Sequence, residues 1–367
     1  MLYLGGNMET EELYRPYLRI IILIDAKAYL KDIGVTDPTQ DQINKVQNMY
    51  PPIIINRYPD EFDISCTIEY STDSTNGYQN CMIDITNLSA YVKYQMLNKH
   101  YAKLKVQAGY LGKDYRYTDN IENTKMSVIF SGSIAWIGTT IQQRKNIITR
   151  FIVVSTFSGD TAELYSTSYS VSFNGSYNLY QLLNELVKNN NNPDFYLNKG
   201  SVDAVELTSE TSDITLENLN SKLDHYSTTV SYDFDSTSMY DNEYYIKLNS
   251  SEDIPTKYNT IELNENTGLI GIPTLQSGDN PTVKLECLFN PSLKIYNYVK
   301  LNNEDIQLPT QSDYSSASSA SYIGSYLDPT GYYKITKITY SLDTRGENFK
   351  QELETSPYNI YERITGE

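Results

Sequence analysis

Asn266-Thr267-Gly268-Leu269-Ile270-Gly271-Ile272-Pro273, with Cys287-Leu288-Phe289-Asn290-Pro291 fourteen residues further on, is the stretch whose reading decides the fold. It reads as a turn, a short apolar strand stopped by proline, an alternating strand over Thr282–Leu288, and a second proline stop. Asn-Thr-Gly supplies a residue that tolerates positive φ, and Gly271 suits a place where a neighbouring backbone comes close. Proline ends strands because it has no N–H to give to a ladder. Nothing in this stretch has the make-up of a nucleophile relay or a phosphate cradle.

Most of the chain outside it also reads as strand. Tyr17–Ile24 is a β-branched run, Phe62–Tyr70 alternates with period two, and Cys81–Ile85 continues that alternation after a turn at Ser74–Gly77. A short polar helix opens at Ser89, followed by a strand over Leu104–Tyr110. Ser127–Gly138 and Asn146–Thr156 form a hairpin around Gln142–Lys145. Together these make one antiparallel barrel or sandwich. The texture then changes: Ser176 is placed to cap a helix carrying Leu179, Leu182, Leu183, Leu186 and Val187, ended by Asn189–Pro193. From Tyr258 the pattern is β again, closing in a hairpin of Gly331–Tyr340 with Phe349–Thr355; Ser312–Ser321 reads as a mobile loop. The expected division is a first β domain over residues 1–165, a small α/β module over 166–256, and a second β domain over 257–367. Both β domains close on a strand, an Arg-bearing turn (Arg144-Lys145-Asn146; Thr344-Arg345-Gly346) and another strand, a faint internal echo.

Composition narrows the function classes. The 367 residues carry a formal net charge of -17, which argues against a groove that wraps nucleic-acid phosphates. Charged residues are 20% and aromatics 12%, which separates the chain from a disordered acidic tail. Tyrosine dominates the aromatics with 35 residues and suits sheets and interfaces. Cys66, Cys81 and Cys287 show no CxxC spacing and read as free buried thiols made in a reducing cytoplasm. The opening Met1–Asn7 lacks a secretory pattern, and the apolar run Ile20–Ile24 is far short of the ~20 residues that span a bilayer, so no stable membrane association is expected.

Chemistry is sought and not found. The two histidines, His100 and His225, stand in polar contexts without a second ligand at helical or strand spacing. No nucleophile-elbow, P-loop or dinucleotide pattern occurs. Asp233-Phe234-Asp235-Ser236-Thr237 starts like a calcium loop, then places Ser238 where the turn needs Gly and Tyr244 where it needs Glu. Glu61 and Asp63 are strand neighbours on one face, as on any solvated surface. The expectation is therefore a non-enzyme, with no catalytic, cofactor-binding or metal-binding residues and no cofactor.

Four segments in order resemble the baseplate hub proteins of contractile bacteriophage tails, the late-control-protein-like family. They are Ile83–Ser89; Leu104–Tyr110 with Val128–Ile134; Asn266–Pro291; and Gly331–Ile335 running to Asp343-Thr344-Arg345-Gly346. The match thins over the first sixty residues and between Asn189 and Thr256. The resemblance implies a mainly β (α+β) fold, two tube-protein-like antiparallel β-barrels with a smaller α/β module between them. It also implies a homotrimeric ring joining the end of the tail tube to the central spike. Expected partners are the tail tube protein, the spike protein and a baseplate wedge or tape-measure protein, with genomic DNA only in transit. Expected localisation is the virion tail, after synthesis in the host bacterial cytoplasm. Two similar surfaces per chain adapt a trimer to a hexameric tube. Three copies carry 3 × (-17) = -51 charges, which suits either a channel that repels DNA or a soluble acidic exterior. The alternatives are a receptor- or glycan-binding tail module, against which the spread of the tyrosines along the chain counts, and a peptidoglycan hydrolase, against which the absence of a catalytic signature counts.

Overall fold

The computed structural model describes residues 15–57, 61–71, 80–98, 101–111, 126–142, 146–155, 255–257, 259–276, 281–308, 327–346 and 348–358, and within 156–254 seven strands. The chain divides into two compact units. One gathers Met1–Ser71, Gln79–Val154 and Pro255–Glu367; the other gathers Thr72–Tyr78 and Ser155–Ile254.

The first unit is mainly β. Its strands are β1 (Arg15–Ile24), β2 (Ile53–Ile55), β3 (Ile64–Ser71), β4 (Asn80–Thr86), β5 (Tyr101–Leu111), β6 (Met126–Gln142) and β7 (Asn146–Ser155). After the inserted segment come β15 (Thr260–Glu262), β16 (Leu269–Gln276), β17 (Thr282–Leu288), β18 (Tyr298–Lys300), β19 (Tyr332–Asp343) and β20 (Phe349–Pro357). All thirteen belong to one sheet, ordered β16-β17-β20-β19-β3-β4-β7-β6-β5-β1-β2, with β18 on β19 and β15 on β18. Among the described registers of this sheet, pairing is antiparallel except for β15 with β18. The two β stretches of the sequence thus meet edge to edge, where β19 pairs with β3 from Lys337↔Ser71 to Asp343↔Ser65.

Period-two alternation sorts these strands into faces. Ile64, Cys66 and Ile68 of β3, Cys81, Ile83 and Ile85 of β4, and Ile338, Tyr340 and Leu342 of β19 all enter one core. The sheet curls around that core. Tyr110 of β5 packs 5.4 Å, centroid to centroid, from Phe349 of β20, and Phe289 lies 5.4 Å from Phe349 and 5.9 Å from Tyr340. The Tyr70 hydroxyl, at the end of β3, donates to the Ile129 carbonyl in β6.

Among the described residues of this unit are three α-helices and a 3-10 turn at Asn303–Asp305. Asp25 caps α1 (Ala26–Asp32) through Ala28 N–H, and a capping box of Thr39 with Gln42 opens α2 (Gln40–Met49). The helix expected at Ser89 is α3 (Ala90–Asn98), with Ser89 Oγ accepting from Val92 N–H.

In the second unit the described elements are strands. β8 (Tyr169–Val171) pairs with β12 (Ser212–Ile214), and β9 (Ser176–Asn178) pairs with β11 (Glu206–Thr208). β10 (Phe195–Asn198), β14 (Glu243–Ser250) and β13 (Thr228–Asp235) form a three-stranded sheet, with β10 parallel to β14. Ser176 does not cap a helix: it opens β9 and pairs with Thr208, so its backbone is committed to a ladder. The leucine stripe that follows, the Asn189–Pro193 run and the Ser312–Ser321 loop lie outside the described residues, as does the Ser74–Gly77 turn.

Candidate assembly surface and the seam behind it

The sequence segments with family resemblance all become shaping elements of the one sheet. At the opening turn, Asn264 Oδ1 accepts from Asn266 and Thr267 N–H, Thr267 Oγ1 donates to the Glu262 carbonyl, and Gly268 takes the positive φ of +106°. β16 then continues through Pro273, contrary to the expected stop. Ile270 pairs with Glu286 and Thr274 with Lys284, so Gly271-Ile272-Pro273 bulges opposite the single residue Leu285. Proline is tolerated because a bulge asks no ladder bond of it, and its carbonyl accepts from Gln307 N–H at 2.7 Å. Gly271 is needed for its φ of +68°, not for close packing: a Cβ there would meet open space. The bulge turns Ile272 outward, 65% exposed.

In the Asn87-Leu88-Ser89 segment, Asn87 adopts φ +57° and its amide imitates a ladder residue. Its N–H donates to Ile147 O at 2.7 Å, and its Oδ1 accepts from Ile147 N–H at 3.0 Å. β4 is thereby clamped to the first turn of β7.

The Asp343-Thr344-Arg345-Gly346 segment forms the β19–β20 turn and also fastens it to β3. Asp343 Oδ1 accepts from Arg345 and Gly346 N–H, each at 2.9 Å. Thr344 N–H donates to Ile64 O at 3.0 Å, while Thr344 Oγ accepts from Ile64 N–H at 2.9 Å. Asp63 stands beside this turn. Partial burial and the neighbouring Asp343 push its carboxyl above the usual range, against the opposing pull of Arg345.

The outer face over this seam is a ladder of compensated charge. Lys284 of β17 reaches Glu354 of β20 at 3.0 Å, Lys350 reaches Glu286 at 2.8 Å, and Lys337 of β19 reaches Glu69 of β3 at 2.9 Å. Bonding to Glu69 holds the Lys337 ammonium more firmly protonated. Farther along the same face, Arg150 makes a two-pronged bond to Asp84 at 2.7 and 2.6 Å. Beside it, the cross-strand partners Met82 and Ile152 are 40% and 39% exposed. A strip of this kind, apolar next to paired charges, suits contact with protein more than with a phosphate backbone, since these lysines already hold carboxylates.

Other sequence candidates resolve plainly. Cys66, Cys81 and Cys287 are free and buried, with Cys66 and Cys81 Sγ atoms 3.6 Å apart. Burial pushes the Cys287 thiol up to about 12. Asp233 and Asp235 lie in β13, opposite Tyr245 and Glu243, so no calcium loop forms there. Glu61 accepts from Arg57 N–H at 3.0 Å. His100 and His225 lie outside the described residues, and among the described residues no three His, Cys, Asp or Glu side chains come together as a metal site. The fold gathers tyrosines that are distant in sequence, yet as packing: Tyr298 is fully buried, 5.6 Å from Tyr358, with the Lys334 ammonium against its ring. Sequence reasoning missed Thr344 and Asn87 as fasteners. The only available signals were the polar residues themselves at the ends of strongly alternating runs.

No family model matches the chain, and no curated protein matches it in sequence. Among solved structures it is similar to an E. coli component of the type VI secretion system described as resembling T4 bacteriophage tail proteins. That match has 11% identity and a TM-score of 0.45, covering 82% of this chain and 75% of that one. It is also similar to a tail protein from Neisseria meningitidis, at 8% identity and TM-score 0.43, covering 83% of this chain and 98% of that one. A third is the prophage tail protein gp18 from Listeria monocytogenes, at 9% identity and TM-score 0.43, covering 95% of this chain and 97% of that one. These three structures are thus a secretion-system component, a tail protein and a prophage tail protein.

Proposed function

We propose that the chain is a structural tail protein of a bacteriophage, and more specifically a hub. Three copies form a ring that joins the end of the tail tube to the central spike and encloses part of the DNA path. The observation that carries this reading is the seam. The four segments that resemble hub proteins in sequence all fall in one thirteen-stranded sheet, and the last is bonded to β3, just upstream of the first, through Thr344 and Ile64.

In this reading the chain has two tube-like modules, one built from β1–β7 and one from β15–β20, fused edge to edge at β3 and β19. The segment near 166–256 is a separate small module. Fusion gives each chain two comparable surfaces, which is what a threefold ring needs in order to meet a sixfold tube. The work is mechanical: the chain holds a ring together and catalyses nothing. The partners are two further copies, the tube and spike proteins, and a wedge or tape-measure protein. DNA passes without being held. The protein resides in the virion tail after synthesis in the host cytoplasm.

The test is the mass and shape of the purified full-length protein. Light scattering is expected to give three times 42.0 kDa, and electron microscopy a ring. A stable monomer that does not trimerise even when mixed with spike or tube protein overturns the proposal.

A further inference from the structure

β6 outruns its neighbour. Its ladder with β5 ends at Lys103↔Ser133, and β5 itself begins only at Tyr101, yet β6 continues to Gln142. In the sheet order β6 lies between β5 and β7, so from Trp136 onward its outer edge has no ladder partner among the described residues. Exposure changes at the same place. Phe130 is fully buried, whereas Ala135, Trp136, Thr139 and Thr140, which lie on both faces of the strand, are exposed. At the start of β7, the other strand of this arm, Ile147 is 43% exposed.

Open strand edges invite other chains, and proteins blunt them with charges, prolines or bulges. At the end of the sheet β16 is blunted in this way: it bulges through Pro273, and Gln307 holds its outer side at Thr274. The β6 edge has none of these devices, since Met126–Gln143 contains no charged residue and no proline. Trp136, the one tryptophan of the chain, folds over Gly138, where a Cβ would overlap its ring, and it remains 50% exposed. Half-exposed large aromatics of this kind serve as anchors in protein interfaces.

Charge indicates what pairs there. Residues 126–155 hold Arg144, Lys145 and Arg150 and no acidic residue, so the arm is +3 and the rest of the chain is -17 - 3 = -20. A second copy of this chain therefore offers both an acidic surface and backbone able to continue a ladder. DNA offers phosphates to the basic residues, one of which already holds Asp84, but nothing to the open edge.

We infer that the edge of β6 from Trp136 to Gln142 receives a strand of a second copy of this chain, with Trp136 as the anchor. The strand comes from a different part of the neighbour, so the contact is head to tail, as a closed ring requires. The inference deepens the ring reading and rests on it for the number of copies.

The test is light scattering of the full-length protein over a dilution series, with tryptophan emission and its quenching by acrylamide read on the same samples. Because Trp136 is the sole tryptophan, that emission reports this edge alone. The comparison is the double variant Thr139→Glu, Thr140→Glu, which sets acidic charge on the edge at two exposed positions. The variant is expected to keep native circular dichroism and the mass of one copy at concentrations where the native protein assembles. Assembled native protein is expected to emit at shorter wavelength and to resist acrylamide. The inference is overturned, with the ring reading intact, if native trimers leave Trp136 as open to acrylamide as the variant does, or if the variant trimerises like the native protein. An assembly of another number of copies that shields Trp136 upholds the inference and overturns the ring. A native protein that stays at one copy at every concentration overturns the inference too, and the ring reading then turns on the mixture with spike or tube protein. Shielding of Trp136 in that single-copy protein by mixed-sequence duplex DNA reassigns the edge to nucleic acid. Should the double variant fail to fold, the native dilution series decides: emission that does not move with mass overturns the inference.

Discussion

Thr344 and Ile64, 280 residues apart, exchange two hydrogen bonds: Thr344 N–H to Ile64 O, and Ile64 N–H to Thr344 Oγ. The second replaces a ladder bond at the place where β3 begins, so a turn near the end of the chain fixes where an early strand starts. Thr344→Val keeps the shape of the side chain and deprives Ile64 N–H of its acceptor. An unsatisfied donor of this kind costs roughly 1–3 kcal/mol. Urea unfolding of the variant is expected to show that loss with an unchanged m-value, and Thr344→Ser to recover most of it.

Phe289 stands between Tyr110, Tyr340 and Phe349, so it ties β5 to the late strands across the core. Phe289→Ala is expected to cost about 3–5 kcal/mol, the range for emptying a large aromatic site. Phe289→Leu retains much of the volume, and chemical denaturation should place it between the two. An alanine variant as stable as the native protein contradicts the curled sheet described above.

Gly331 has φ +76°, and a Cβ there would lie 2.4 Å from the Leu301 carbonyl oxygen. Gly331 N–H also closes the turn to Asp328 O, while its own carbonyl accepts from Leu301 N–H. Gly331→Ala therefore meets a backbone atom and a disfavoured φ together, for a loss of about 2 kcal/mol or more. Thermal unfolding reads it directly.

Asp63 gives a pH signature. Its folded carboxyl is raised above the unfolded value, so the folded state binds the proton more tightly. Its stabilising contribution is complete below the unfolded value and is lost as pH rises through the folded one. Asp63→Asn is expected to be at least as stable as the native protein at neutral pH, with the difference closing under acid. A variant that loses stability at neutral pH and recovers it in acid contradicts the sign.

Thiol chemistry tests the core. Cys66, Cys81 and Cys287 are buried, and burial raises the Cys81 and Cys287 thiols. At pH 8 an aromatic disulfide reagent is expected to leave all three unmodified in the native protein. All three should react promptly in denaturant. Rapid native labelling of Cys287 contradicts its buried place in β17, opposite Gln351 of β20.

Strand content was legible wherever one face of a strand is wet. Phe62–Tyr70, Cys81–Ile85 and Gly331–Tyr340 alternate because their outer residues, such as Glu69 and Lys337, are solvated while Ile68 and Ile338 are buried. The first two helices were not read. Each buries only two side chains, Ala26 and Leu30 in α1, Ile43 and Val46 in α2, too few to set a period, although Thr39 and Gln42 spelled a capping box. Pro273 misled because a stop and a bulge have the same local sequence; Gln307, whose N–H donates to the Pro273 carbonyl, lies far along the chain. The pairing of β3 with β19 was not readable at all, since both edges look alike to local pattern.

The joining of β3 to β19 also governs how the chain is made. During synthesis β3 emerges early and can pair with β4, yet its other edge stays open until residue 343 has left the ribosome. Until then the nascent chain carries an unpaired strand edge, the kind of surface on which chains associate wrongly. Sheets closed by such distant segments fold slowly, because loop closure comes before the contacts that repay it. Emergence of β19 therefore sets the earliest moment at which this sheet can become native.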